Sequence, residues 1–220
     1  AIIIALHAFG VFAKPKDVLN IGISTLHPND ITYAQEKNYK IKLVPTVKKV
    51  NDNQVSILVL PKYVDAANHL YSVDNEFNCV IVGGEFSGEQ FLNGKGAGGH
   101  PTGAAVLSDI SALSYGYKYE YKKQHQNPNL EFTNDVIVKV YFRYNRLIDL
   151  EKLNFEKITE RYSGTDYNYV VGYVALENII ANKEHILQNK LFVALVGEEI
   201  QQKLKNGKTE KKELTSSLNA

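Results

Sequence analysis

The chain opens on an apolar run, AIIIALHAFGVFA, whose spacing reads as the second half of a helix stopping near Phe12, with Gly10 and Pro15 as stop signals. DVLNIGIST follows as a short strand or extended segment. HPNDITYAQEKNY carries the 3.6-residue rhythm of a helix. Pro28 suits its first turn, where a missing N–H costs nothing, and Asn29 and Asp30 favour the positive end of the dipole. Ile31 and Ala34 are expected to face inward. Four apolar runs of strand length come next: YKIKLVPTVKKV, QVSILVLPKYV, NCVIVGGEF and GEQFLNG. The turn chemistry of NDN, VDNEF and GGEFSG separates them. Runs without long crossovers predict a mostly antiparallel sheet. A glycine-rich stretch then leads into the helix PTGAAVLSDISALSYG.

The pattern breaks at KKQHQNPNLEFTND, which is polar and holds a proline and several asparagines. It reads as a linker, with a domain boundary near Pro128. Beyond it, VIVKVYFRY alternates like a strand, and LEKLNFEKITERY has helical spacing at Leu150, Leu153, Ile158 and Tyr162. YNYVVGYVAL reads as a strand, ENIIANKEHILQN as a helix and LFVALVG as a strand. The expected fold is α+β: a mostly antiparallel sheet with helices on one face over residues 1–128, followed by a small ferredoxin-like sandwich over 129–220. The tail QQKLKNGKTEKKELTSSLNA has few apolar residues and is expected to be partly disordered.

Composition narrows the function classes. Hydrophobic residues at 44% and charged residues at 22% are ordinary for a globular chain. A net charge of +1 gives no electrostatic case for nucleic acid or an anionic membrane. No stretch approaches the roughly 20 apolar residues that span a bilayer. The single cysteine, Cys79, excludes a disulfide within the chain and points to a reducing cytoplasm. Within NCVIV it reads as a small buried hydrophobe.

The densest chemical signal is FLNGKGAGGHPTGAAV, with five glycines between Gly94 and Gly103. A glycine turn entering a helix N-terminus exposes backbone N–H groups and the positive dipole end, which suits an anion. Pro101 at the helix start fits that geometry. The spacing is neither a P-loop nor a dinucleotide fingerprint, so ligand contact and a tight structural turn both stay open. His69 could act as a general base but has no visible partner; His7 and His27 carry less signal. Asp109, on the helix after the loop, reads equally as a ligand contact or a surface residue. No histidine or carboxylate cluster has metal-ligand spacing, so no metal is expected.

Several motifs in order carry a resemblance. ALHAFG, GISTLHPNDITYAQEKNYKIKLVP, HLYSVDNEFNCVIVGG and above all GKGAGGHPTGAAVLSD are similar to the catalytic domain of homoserine dehydrogenase, across residues 1 to 115. The second segment looks like the ACT-type regulatory domain that many of these enzymes carry at the C-terminus. The family interconverts aspartate semialdehyde and homoserine with NAD(P)H, on the route to threonine and methionine. The resemblance implies that the nicotinamide end of the cofactor approaches Gly96, Ala97, Gly98 and Gly99, with Thr102 and its helix fixing the loop. His69 matches the family's histidine in a His-Pro-Leu stretch, though Leu70 stands where the proline usually is. Homodimerisation through the substrate-domain sheet is likewise implied.

The resemblance also implies what lies outside these residues. The family's catalytic lysine aligns immediately before Ala1, and its acidic partners and Rossmann domain lie further upstream. None of Lys14, Lys16 or Lys95 matches that lysine. The 220-residue chain alone is therefore expected to be inactive and to hold no cofactor. The alternative reading is an amino-acid-binding regulatory module, taking threonine or a similar effector, with a vestigial enzyme portion. YNRLID occupies the turn where such domains often carry a glycine and bind their effector.

Overall fold

A computed structural model gives the fold and describes residues 1–118, 120, 122–126 and 129–202. Helix α1 (Ile2–Phe9) ends at Gly10, strand β1 (Leu19–Asn20) is two residues long, and α2 (Pro28–Glu36) follows. Strands β2 (Lys40–Asn51) and β3 (Gln54–Val64) form a long hairpin. A 3-10 turn, His69–Ser72, precedes a second hairpin of β4 (Phe77–Gly84) and β5 (Gly88–Lys95), which forms a separate two-stranded sheet. Then come α3 (Gly99–Ser114), α4 (Lys122–Gln126) and β6 (Glu131–Phe132). The remainder is β7 (Val136–Tyr144), α5 (Leu147–Leu153), β8 (Lys157–Ser163), β9 (Asn168–Ala175), α6 (Leu176–Ala181), α7 (Lys183–Gln188) and β10 (Phe192–Gln202).

Strand β3 organises the molecule. One edge pairs with β2 along its whole length; the other takes β6, β1 and β10 in turn, all parallel. Through β10 the sheet continues to β7, β9 and β8, all antiparallel. One mixed, mainly antiparallel eight-stranded sheet thus crosses residue 128. The stretch read as a linker contributes α4, which lies beside α1, and β6, which pairs with Gln54–Val55. Pro128 itself and the tail beyond Gln202 lie outside the described residues.

Helices cover both faces of the sheet, α1 and α2 on one and α5, α6 and α7 on the other. Alternate residues of a strand point to opposite faces. Val138, Val140 and Phe142 of β7 pack with Leu150 and Leu153 of α5, Ile179 of α6 and Ile186 of α7. Tyr141, between them, faces the other way and packs with Tyr33 of α2. A strand buried on both faces reads as near-continuous apolar sequence, as VIVKVYFRY does.

Three expectations need correction. The helix expected over Leu150 to Tyr162 stops at Leu153, because Asn154 takes a left-handed conformation (φ 48) that its short polar side chain tolerates. The rest is β8, with Ile158 and Tyr162 partly exposed. This edge strand sits tightly on Gly172 of β9, where a β-carbon would stand 2.4 Å from the Lys157 carbonyl oxygen. The C-terminal units therefore run β-α-β-β-α-β, not β-α-β-α-β, with sheet order β10-β7-β9-β8. In α2, Ala34 is buried as expected but Ile31 is exposed, and Asp30 and Tyr33 take the inward face. Cys79 is half-buried on β4 rather than in the core.

Candidate functional site

The glycine stretch leaves the end of β5 and turns into α3. The Gly96 N–H donates to the Glu76 carbonyl at 3.0 Å, tying the loop to the start of β4. Gly98 caps α3 with φ +114, a conformation that only glycine adopts without strain. The Thr102 N–H donates back to the Gly98 carbonyl at 3.2 Å. The geometry leaves first-turn N–H groups of α3 facing the loop, as an anion or carbonyl ligand requires. No side chain of α3 is buried: Val106, Leu107, Ile110 and Leu113 are half to two-thirds exposed.

Gly98→Ala is expected to strain the loop by about 1–3 kcal/mol. Because no side chain of α3 is buried, the loop should yield and the fold should not. Amide exchange by NMR checks this: the Thr102 N–H should exchange faster while the melting temperature stays nearly constant.

The turn carrying His69 is pinned from two directions. Lys40 donates to Asp74 Oδ2 at 2.6 Å, and Lys42 donates to Asp74 Oδ1 at 2.7 Å and to the Val73 carbonyl. Hydrogen bonds from Lys40 and then Lys42 hold the Asp74 carboxyl down to about 2. The Lys40 ammonium also lies 4.8 Å from the Tyr71 ring centroid. On the hairpin side, His69 stacks on Phe91 of β5, with centroids 5.1 Å apart and planes at 26°.

A buried polar node stands at the N-terminus of α2. His27 caps the helix: the Asn29 N–H donates to His27 Nδ1, and the His27 N–H donates to Asp30 Oδ2 at 2.9 Å. The other Asp30 oxygen accepts from Arg143 Nε at 2.8 Å and from the Tyr141 hydroxyl at 3.1 Å. Arg143 Nη2 donates on to the carbonyls of Thr25, at 2.9 Å, and Lys190, at 3.2 Å. Asp30 is 0% exposed and Arg143 6%. Burial pushes the Asp30 carboxyl above its ordinary value, against the pull of Arg143. The node fixes the segment between β1 and α2 rather than offering a reactive group.

Some expected residues are adjacent and others are not. Gly96, Ala97, Gly98, Gly99 and Thr102 form one continuous turn. His69 meets the hairpin at Phe91 and makes no described contact with that turn. Asp109 is exposed on α3. Lys95 is paired with Glu76 at 3.1 Å and lies over the Phe77 ring. Sequence reading placed Asp30 only at the helix start and assigned no role to Arg143 and Lys62. The signal was there for two of them, since Arg143 and Lys62 are charges inside apolar strand runs, and a buried charge implies a partner.

Among the described residues no group of three or more His, Cys, Asp and Glu side chains could hold a metal ion, and no helix is long and apolar enough to cross a membrane. The family model of homoserine dehydrogenase matches residues 1–111, half of the chain. The Helicobacter pylori homoserine dehydrogenase is 37% identical over 113 residues, covering 51% of this chain and 27% of that protein. The Bacillus subtilis homoserine dehydrogenase is 28% identical over 166 residues, covering 73% and 38%. The chain thus spans well under two thirds of the length of these relatives. Among solved structures, a homoserine dehydrogenase from Thiobacillus denitrificans has the same fold over 90% of this chain and 51% of its own, with a TM-score of 0.66 at 22% identity. The Staphylococcus aureus homoserine dehydrogenase at pH 6.5 gives a TM-score of 0.55 at 25% identity, covering 90% and 51%. The α2 helix, the second hairpin and the glycine turn all fall within the matched half, and the chain belongs to the homoserine dehydrogenase family.

Proposed function

We propose that this chain is the substrate-binding and dimerisation portion of an NAD(P)-dependent homoserine dehydrogenase, which interconverts L-aspartate 4-semialdehyde and L-homoserine in threonine and methionine biosynthesis. The observation that carries the reading is the turn at Gly98, whose positive φ requires glycine where the chain enters α3. Gly99 and Gly103 have nothing within 4 Å of where a β-carbon would stand, so a flat ring and a carbonyl can approach the backbone closely. Gly96, Ala97, Gly98, Gly99 and Thr102 are the residues that would hold the nicotinamide end. Bound NAD(P)H supplies the hydride; what this chain supplies is the close backbone approach and the dipole of α3. The alkoxide formed at the substrate needs a proton donor. The resemblance to the family implies that a lysine aligning just before Ala1 gives this proton; Lys95 is engaged with Glu76, and His69 stacks on Phe91.

The division into residues 1–128 and an ACT-like segment 129–220 is part of the proposal. It is supported by the β-α-β-β-α-β order and the sheet order β10-β7-β9-β8, the ferredoxin-like arrangement. We place an amino-acid effector, if the full protein takes one, at the β7–α5 turn. Homodimerisation is supported by the exposed apolar side chains of the second hairpin, Val80, Val82 and Leu92, and by the uncovered α3. The cytoplasm, suggested by the lone cysteine, remains our assignment of compartment.

The test compares the 220-residue chain with the protein carrying its encoded upstream residues, both assayed for NAD(P) reduction with homoserine. The longer protein should turn over and the 220-residue chain should not. An inactive longer protein would sink the assignment, and turnover by the chain alone would sink the upstream placement of the lysine.

A further inference from the structure

Strand β10 carries a wide irregularity. Its pairing with β7 passes from Leu195 opposite Val140 to Ile200 opposite Val138, so residues 196–199 stand across from Lys139 alone. Bulges of this kind re-aim side chains and are found beside functional sites. Here the re-aimed side chain is Glu198. Its carboxylate meets the ammonium of Lys62, a β3 residue whose side chain is 7% exposed. Its Oε1 also accepts from Asn68 Nδ2 at 2.9 Å, and its carbonyl accepts from Lys48 Nζ at 3.1 Å. Asn68 in turn caps the 3-10 turn: its Oδ1 accepts from the Leu70 N–H at 2.9 Å. That turn presents His69 to Phe91, and Phe91 lies on the strand that ends at the glycine loop.

The connection is directional in a chemical sense. An asparagine amide has two ends, and it caps the turn only when the oxygen faces Leu70. Glu198, an acceptor, holds the nitrogen end and so fixes which end faces the turn. Lys62 anchors Glu198 because a buried ammonium strongly favours a carboxylate at its head.

We propose that Glu198 is a positioning residue: through Lys62 and Asn68 it sets the turn that carries His69, and through the His69–Phe91 stack it sets the hairpin that ends in the glycine loop. Strand β10 thereby adjusts a site built by the first half. This deepens the functional reading above and rests on it only for the claim that the turn and hairpin border the reactants.

The test reads the His69 ring protons by NMR in the 220-residue chain, where the Phe91 ring shifts them upfield. Phe91→Ala defines the position without the stack. Glu198→Ala and Asn68→Ala should each move the His69 resonances at least half of the way to that position, and the double variant should move them no further than either single one. Glu198→Gln, which keeps an acceptor oxygen for Asn68, should restore part of the shift. Tyr33 and Tyr141 resonances should stay in place throughout. Unmoved His69 resonances in either single variant, or additive movements in the double, overturn the link. If Glu198→Ala unfolds because Lys62 is stranded, Asn68→Ala decides the matter alone, since it leaves the Lys62 pair intact. In the protein carrying its upstream residues, Asn68→Ala should raise KM for homoserine at least threefold with a smaller change in kcat. Unchanged KM and kcat there, with the His69 shift moved as expected, would overturn the functional half and leave the link standing.

Discussion

Replacing Arg143 with methionine is expected to lower the unfolding free energy by about 3–5 kcal/mol, because Asp30 would keep its burial and lose its cation. Urea unfolding at pH 7 measures it. Replacing both members, Asp30→Asn with Arg143→Met, should recover a substantial part, since no uncompensated charge is left inside. The pH dependence has a definite sign. Burial already raises the Asp30 carboxyl, and Arg143 opposes that rise through a hydrogen bond and its charge. Without Arg143 the carboxyl rises further. A carboxyl raised in the folded state favours the protonated form, so its contribution is fully present below the unfolded value of about 3.9 and is lost as pH rises through the folded value. The deficit of Arg143→Met should therefore be smaller at pH 4 than at pH 7. Equal deficits at the two pH values would show that Asp30 does not carry the charge that the pairing implies.

Tyr33→Ala is expected to cost about 3–5 kcal/mol as well, by a different cause. Tyr33 is 2% exposed and its ring lies 4.6 Å from Tyr141, 4.9 Å from Tyr169 and 5.1 Å from Tyr63, centroid to centroid. Truncation removes the ring around which the other three gather and leaves a cavity between α2 and the sheet. Tyr33→Phe keeps the ring and should cost no more than about 1 kcal/mol. Near-equal unfolding midpoints for wild type and Tyr33→Ala would show that the cluster is not packed in solution. The two sites touch through Tyr141, which packs on Tyr33 and donates to Asp30, so the effects of Tyr33→Ala and Arg143→Met should not add.

Local chemistry made much of this fold legible. Pro28 and Asp30 marked the start of α2, and the turn signals marked both N-terminal hairpins. The glycine turn was legible as a turn because five glycines leave the backbone few other uses. The end of α5 was hidden: Ile158 and Tyr162 continued the helical spacing by chance, and the left-handed Asn154 overrode it. Long-range pairing was not legible. Arg143 and Lys62 announce themselves as charges in apolar runs, yet nothing nearby names Asp30 or Glu198 as partner, because sheet order decides who meets whom. The inward side of α2 was misjudged for a related reason. Ile31 is the better hydrophobe, but Arg143 and Tyr141 on the facing strand select Asp30.

The pairing of β3 with β10 has a consequence for how the protein is made. Lys62 and Tyr63 pair with Leu195 and Val196, which follow more than a hundred residues later in the chain. Contacts so distant in sequence are slow to form, because the intervening loop must close before the pairing repays it. On the ribosome, the edge of β3 that receives β10 waits until nearly all of the described chain has emerged. The first hairpin must hold its shape in that interval with Lys62 lacking its carboxylate and one strand edge open, a state prone to pairing with other chains.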